Sequence, residues 1–260
     1  MRKKWLYFTL YILTLLSTYT VGGVWYMLCL MVILTSHELG HYFTSKKYGV
    51  YSTLPIFIPF PLSPFGTLGA IIKMKGNIPN KKALFDIGAS GPIMGIIFAL
   101  PITIIGLKLS TIINVHQYKD VMFRLGEPLF FKIFKYIIFG TIPPGKDILL
   151  HPIAYAGWVG FFVTALNLLP IGQLDGGHIL YAILGKKSYI VSKIVLFLFG
   201  VFSVIKYKSW LLLIFLLILM NPLHPPTMND YEPIDKKRVI FGILIGIIFI
   251  LSFTPTPFLF

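Results

Sequence analysis

Apolar runs follow one another from Trp5 to the last ten residues, and nowhere between them is there a polar block long enough to fold as a separate module. That continuity limits the chain to one kind of solvent. With 56% of its 260 residues hydrophobic and a mean hydropathy of +0.81, a water-soluble fold of this size would leave far too much apolar surface wet. The expected class is an all-α polytopic membrane protein in a single membrane domain, residues 1–260.

The runs predict about six to seven transmembrane helices, near 5–20, 23–45, 84–107, 148–168, 189–205, 209–221 and 239–254. The first resembles a secretory signal, but a second span follows within a few residues, so it is read as a retained helix. Between the second and third spans, Pro55, Pro59, Pro61 and Pro64 interrupt an apolar stretch that no straight helix would tolerate. A small re-entrant β element is expected there, ending in a strand at 66–73. The long connection at 109–147 contains "EPLFFKIFKYIIFG", which places Lys132 and Lys135 on one face of an interfacial helix.

A net charge of +14 could suggest nucleic acid, but the basic residues cluster at the edges of apolar runs: Arg2 to Lys4, Lys46 and Lys47, Lys81 and Lys82, Lys186 and Lys187, Lys236 to Arg238. That is the pattern of topology signals and anionic-lipid contacts, so the bilayer is the expected partner and nucleic acid is not. An inside amino terminus gathers 14 basic residues on the inner side against 8 outside. The expected location is a cell membrane, with the amino terminus toward the cytoplasm. Cys29 is the only cysteine, which excludes an internal disulfide and reads as a small core hydrophobe.

The opposite of an apolar signal sits near the end of the second run, in "TSHELGHYFTSKK", 35–47. On a helix, His37 and His41 project from one face and can reach one cation, with Glu38 beside it to take a proton from water. If Lys46 and Lys47 mark the headgroup level, His37 lies roughly 13 Å below it, at 1.5 Å per residue. Three ionisable groups at that depth need compensation, and zinc supplies it by offsetting carboxylate charge and holding the imidazoles neutral. A catalytic zinc needs a third protein ligand and an open position. Asp175 is the best candidate, in "NLLPIGQLDGG", 167–177, where Pro170, Gly172, Gly176 and Gly177 break a span. A broken span is tolerated at membrane depth only where it is buried in protein or lines a wet cavity. Glu127 and Glu232 lie in polar connections and are weaker candidates. Gly88, Gly91 and Gly95 read as helix-packing positions, and His178 either orients Asp175 or simply packs. His224 with Asp230 and Glu232 could form a second cation site or only a polar turn.

His37-Glu38-x-x-His41, followed by Asn167-x-x-Pro170-x-x-x-Leu174-Asp175-Gly176, resembles the paired signature of the site-2 protease family, the intramembrane zinc metalloproteases. "GASGPIMG" at 88–95 and "GTLGA" at 66–70 are similar to that family's core helix and substrate-side strand, so the resemblance covers residues 23–180. "HPPTMNDYEPID" at 224–235 resembles a tail in the compact branch without a PDZ domain. The resemblance implies a catalytic core at about 23–180 and C-terminal helices at about 189–254. It also implies one Zn2+ per chain on His37, His41 and Asp175, and hydrolysis of a transmembrane protein substrate. Glu38 is then the proton acceptor and Asn167 the donor to the developing oxyanion, unless Asn167 is only an interhelical contact. Gly66, Gly69 and Ala70 would offer a strand edge to extended substrate, or would form an ordinary hairpin. A transporter, channel or silent scaffold could use the same polar mid-membrane site, although transporters usually show a second, matching broken span.

Overall fold

The computed structural model describes residues 2–75, 77–115, 124–219 and 223–259; His116 and Lys119 of the long connection lie outside them. The fold is mostly helical. α1 (Arg2–Lys47) is traced as one element, but Gly22 and Gly23 leave helical geometry, Gly23 at φ +73°. A continuous helix of 46 residues would run about 69 Å at 1.5 Å per residue, more than twice a bilayer's hydrocarbon core. The break divides it into two arms, one before Gly22 and one after Gly23.

Four short strands follow: β1 (Tyr51–Ser52), β2 (Ile56–Pro59), β3 (Thr67–Ile71) and β4 (Met74–Lys75). β2 and β3 form an antiparallel hairpin in which Phe57 faces Ala70 and Pro59 faces Thr67, and β1 pairs with β4. Prolines confine this stretch to edges and turns rather than a larger sheet. α2 (Lys81–Lys108) is capped by the Asn80 side chain, which accepts from the Ala83 amide. Beyond it come β5 (Thr111–Asn114), β6 (Arg124–Leu125), α3 (Leu129–Phe139) and β7 (Lys146–Leu149). Then follow α4 (Pro152–Asn167), α5 (Asp175–Leu184), a single 3-10 turn at Gly185–Lys187, α6 (Ser188–Ile205), α7 (Trp210–Leu219), α8 (Lys236–Ser252) and β8 (Phe258–Leu259).

Two boundaries differ from the sequence expectation. The span expected from residue 148 starts at Pro152, because residues 146–149 pair with β5 as a strand. Residues 175–184 form a helix of their own where the sequence suggested only a break. Asp175 in the first turn favours that start, since a carboxylate complements the positive end of the helix dipole.

Among the described residues, three helical stretches are long and apolar enough to cross a membrane: Trp5–Lys47, Lys81–Lys108 and Asp175–Ile205. Large apolar side chains such as Phe197, Leu198, Leu212 and Leu219 are exposed on α6 and α7, a surface suited to lipid rather than water. Inside, α2 and α4 approach through small residues. A side chain at Gly106 would collide with the backbone of Ala154, and one at Gly157 with Thr103. This is how membrane helices gain van der Waals contact where no hydrophobic difference drives them together.

One end of the bundle carries an ionic layer. Arg238 donates to Asp86 at 2.7 Å, Tyr48 also bonds Asp86, and Glu232 accepts from Lys82 at 2.5 Å and from Asn80 at 3.1 Å. Asp86 therefore has a guanidinium partner. These bonds tie the ends of α1, α2 and α8 together. Lys82 holds the Glu232 carboxyl below its ordinary range. Burial pushes Asp230 up, but hydrogen bonds from Thr227 and Tyr181 outweigh it and leave it lowered. Carboxyls depressed in the folded state contribute stability that is complete at neutral pH and lost as pH falls through their folded values. Amide exchange in 224–235 is therefore expected to rise below about pH 4 before the helices open; unchanged exchange at pH 3 would contradict it.

Candidate functional site

The site begins with helical periodicity. His37 and His41 share one face of the second arm of α1, one turn apart, and both are buried with Glu38 between them. His41 Nδ1 lies 2.8 Å from the Ile87 carbonyl oxygen. A carbonyl only accepts, so Nδ1 carries the proton and Nε2 keeps a lone pair directed away from it.

α2 leaves room for both imidazoles. A Cβ on Gly91 would overlap the His41 ring, and one on Gly95 would stand 3.2 Å from His37 Nδ1. The motif helix approaches equally closely from its own side, since a Cβ on Gly40 would stand 2.6 Å from the Ser90 carbonyl oxygen. The small-residue face of α2 thus seats the histidines. The sequence suggests only helix packing for those glycines, yet the four-residue spacing of Gly91 and Gly95 matches that of His37 and His41 and is the available signal.

The third group comes from the break between α4 and α5. Gly172 adopts φ +56°, and side chains at Gly176 and Gly177 would collide with the Leu168 and Gly172 carbonyls. The chain folds tightly enough there to start α5 with its first residue, Asp175, against the histidines. His37 Nε2 lies 3.2 Å from Asp175 Oδ2 and His41 Nε2 3.3 Å from Asp175 Oδ1, and the two Nε2 atoms are 3.2 Å apart. Asn167, at the end of α4, brings Nδ2 to 3.2 Å from His37 Nε2.

These atoms suit a metal ion. His37, His41 and Asp175 are the group of this kind among the described residues. Ligands about 2.0–2.1 Å from a tetrahedral zinc stand about 3.3 Å from one another, the separation seen between the imidazoles and the carboxylate. Asp175 Oδ2 is buried and receives no hydrogen bond. A buried carboxylate oxygen without a donor is costly, and a cation is the partner that this donor set lacks.

The other acids have different partners. Glu127 binds Lys135 at 2.5 Å, while Asp230 accepts from Thr227 and Tyr181. With Glu232 held by Lys82, the alternative third ligands and the second cation site suggested by sequence have no support. His151 caps α4 by accepting from the Ile153 amide. Gly66 is buried at φ +76°, and its carbonyl accepts from Ser17 Oγ at 2.5 Å, so it seats the hairpin on the first arm of α1. Gly69, at φ +91°, has open space where a Cβ would stand.

The profile described as Peptidase family M50 matches residues 25–205, more than half of the chain. The chain belongs to peptidase family M50. This is the site-2 protease family to which the motifs pointed. The M50 match opens just past the Gly22 and Gly23 break, closes at the end of α6, and includes all five residues around the metal group. Curated relatives include the probable chloroplastic zinc metalloprotease EGY2 of Arabidopsis thaliana, 30% identical over 88% of this chain and 41% of that protein. EGY2 of Oryza sativa subsp. indica is 26% identical over 91% of the chain and 43% of its own length. EGY1 of Arabidopsis thaliana is 29% identical over 86% and 41%. The chain thus spans about two fifths of the length of these relatives.

Proposed function

We propose that this M50 chain is an intramembrane zinc metalloprotease that hydrolyses peptide bonds within or beside transmembrane segments of membrane-protein substrates. The observation that carries the reading is the convergence of His37 Nε2, His41 Nε2 and the Asp175 carboxylate, whose Oδ2 receives no hydrogen bond, in an apolar helical bundle. One zinc per chain would be held by those three groups, and when bound it supplies Lewis acidity, lowering the pKa of a water from 15.7 to about 7. The divalent charge also balances the two carboxylates, Glu38 and Asp175, that the bundle buries.

The chain's own residues do the rest. Glu38 accepts the proton of the attacking water and returns it to the leaving amine. Asn167 points its amide at the rim of the metal group, where the oxyanion develops. A substrate helix hides its own peptide bonds, so the scissile segment must be unwound and held extended. The β3 edge around Gly69 and Ala70 is the place for that pairing.

In this reading the two arms of α1, with α2, α4, α6, α7 and α8, would supply the six to seven spans, and β2 with β3 the re-entrant element. The basic clusters at 46–47, 81–82 and 236–238 gather at the ionic end, which supports an orientation with that end and the amino terminus toward the cytoplasm. The cell membrane remains the proposed location; the relatives named above carry the description chloroplastic.

The test is purified protein with zinc quantified per chain and a transmembrane reporter in liposomes. One zinc, lost in H37A and D175N together with cleavage, is expected. Full reporter cleavage by zinc-free D175N would sink the reading, whereas transport without cleavage would favour the transporter. Asn167→Ala is expected to keep zinc and lower kcat by about 10²- to 10³-fold, as loss of one oxyanion donor does; an unchanged kcat would reduce Asn167 to an interhelical contact.

A further inference from the structure

A second buried polar cluster joins α5 to the segment that precedes α8. His178, one turn past Asp175, brings Nδ1 to 2.6 Å from His224 Nε2, and His224 Nδ1 lies 2.5 Å from the Pro225 carbonyl oxygen. Because that carbonyl can only accept, His224 is protonated on Nδ1, and its Nε2 accepts from the Nδ1–H of His178. Both rings are buried. Tyr181 stacks on the His224 ring with centroids 4.7 Å apart, and its hydroxyl donates to Asp230 at 2.6 Å. Tyr189 donates to the His224 carbonyl at 2.9 Å.

The same segment also holds the approach to α2, through Met228 N to Ile78 O at 2.9 Å and Asn229 N to Pro79 O at 3.0 Å. It therefore straps together the helix whose glycines seat the imidazoles and the helix that carries the carboxylate. Glycines at 172, 176 and 177 leave the start of α5 with little side-chain anchorage of its own. The first bulky side chain after Asp175 is His178. It is wedged against α2, where a Cβ on Gly88 would stand 2.8 Å from the His178 Cβ and 3.1 Å from the Asp175 carbonyl oxygen.

We propose that His224 is a positioning residue for the metal ligand Asp175, acting through His178: the hydrogen-bonded histidine pair fixes the rotation of the first turn of α5, and with it the direction of the carboxylate. The strap lies beyond residue 205, outside the M50 match. The inference deepens the proposed function and rests on its metal site.

The experiment measures zinc affinity of the full chain in detergent by competition with a chelator, alongside reporter cleavage and a thermal melt of the metal-free protein. H224A and H224F are expected to weaken zinc binding by about 10- to 100-fold, the usual cost of losing a group that orients a ligand. H224Q, whose amide oxygen can accept from His178, should recover most of that loss. H178A should weaken zinc binding similarly, and the H178A/H224A double variant should be no weaker than H178A.

H224F keeps a ring against Tyr181 while removing the Nε2 acceptor and the Nδ1–H that bonds the Pro225 carbonyl, so it carries the test if H224A does not fold. Wild-type zinc affinity in H224F, or a double variant whose losses add, would overturn the proposal. Failure of both H224A and H224F to give a melting transition would also overturn it, making the strap a folding element. Weakened zinc binding in the His224 variants of a protein whose wild type cuts no reporter would sink only the protease reading; wild-type cleavage with no change in zinc affinity in the variants would sink only this one.

Discussion

Glu38→Gln is expected to leave zinc in place and lower cleavage by about 10²- to 10⁴-fold, the range over which a positioned proton acceptor contributes. The side chains have the same shape, so the buried position on α1 is filled as before and the three proposed ligands, His37, His41 and Asp175, are untouched. What disappears is an acceptor for the proton of water. The change also removes one of the two carboxylates in the apolar bundle, so the metal-loaded site becomes more positive by one charge. Zinc per chain, reporter cleavage and the melt together separate the outcomes. Full zinc with little cleavage supports Glu38 as the proton acceptor. Zinc lost in E38Q would make Glu38 part of the ligand set, and cleavage at the wild-type rate would dismiss it from the reaction.

Which parts of this were legible in the sequence follows from what sets each contact. The pairing of His37 with His41 depends only on helical periodicity inside an apolar run, and the Gly172, Gly176 and Gly177 break announces itself by local backbone chemistry. Asp175 was reachable from the same logic, because a carboxylate at a break in a span needs a compensating partner. The antiparallel hairpin of β2 and β3 was visible through its prolines and glycines. Contacts between distant elements were not visible. Nothing near Asp86 in the chain announces Arg238, which reaches it across 152 positions, and the His178 to His224 bond spans 46. The start of α4 was read too early because the apolar residues of β7 look locally like the first turn of a helix. For Gly66, Gly69 and Ala70 the sequence leaves a substrate edge and an ordinary hairpin both open, and the carbonyl contact of Gly66 with Ser17 is a tertiary fact that no local pattern announces.

The α2 glycines give the sharpest separation of stability from function. Gly91→Ala places a methyl group into the His41 ring, where Cδ2 and Cε1 would each be 2.5 Å from the new Cβ. Either the ring swings away and its Nε2 leaves the metal group, or α2 backs off from α1 and loosens the hydrogen bond from His41 to Ile87. Both routes are expected to weaken zinc binding by at least about a hundred-fold, more than loss of a group that only orients a ligand. Alanine within a helix would ordinarily stabilise by about 0.5–1 kcal/mol over glycine, so the metal-free protein need not melt earlier when the ring is the part that moves. Gly95→Ala should do less, since its nearest atom, His37 Nδ1, is 3.2 Å away and requires only a small adjustment. Gly200→Ala on α6, with open space at its Cβ position, is the control and should match the wild type in zinc affinity. The order of zinc affinities is therefore Gly200→Ala above Gly95→Ala above Gly91→Ala. A Gly91→Ala protein that held zinc as tightly as the wild type would mean that His41 does not rest on α2, and the ligand geometry argued from that contact would have to be abandoned.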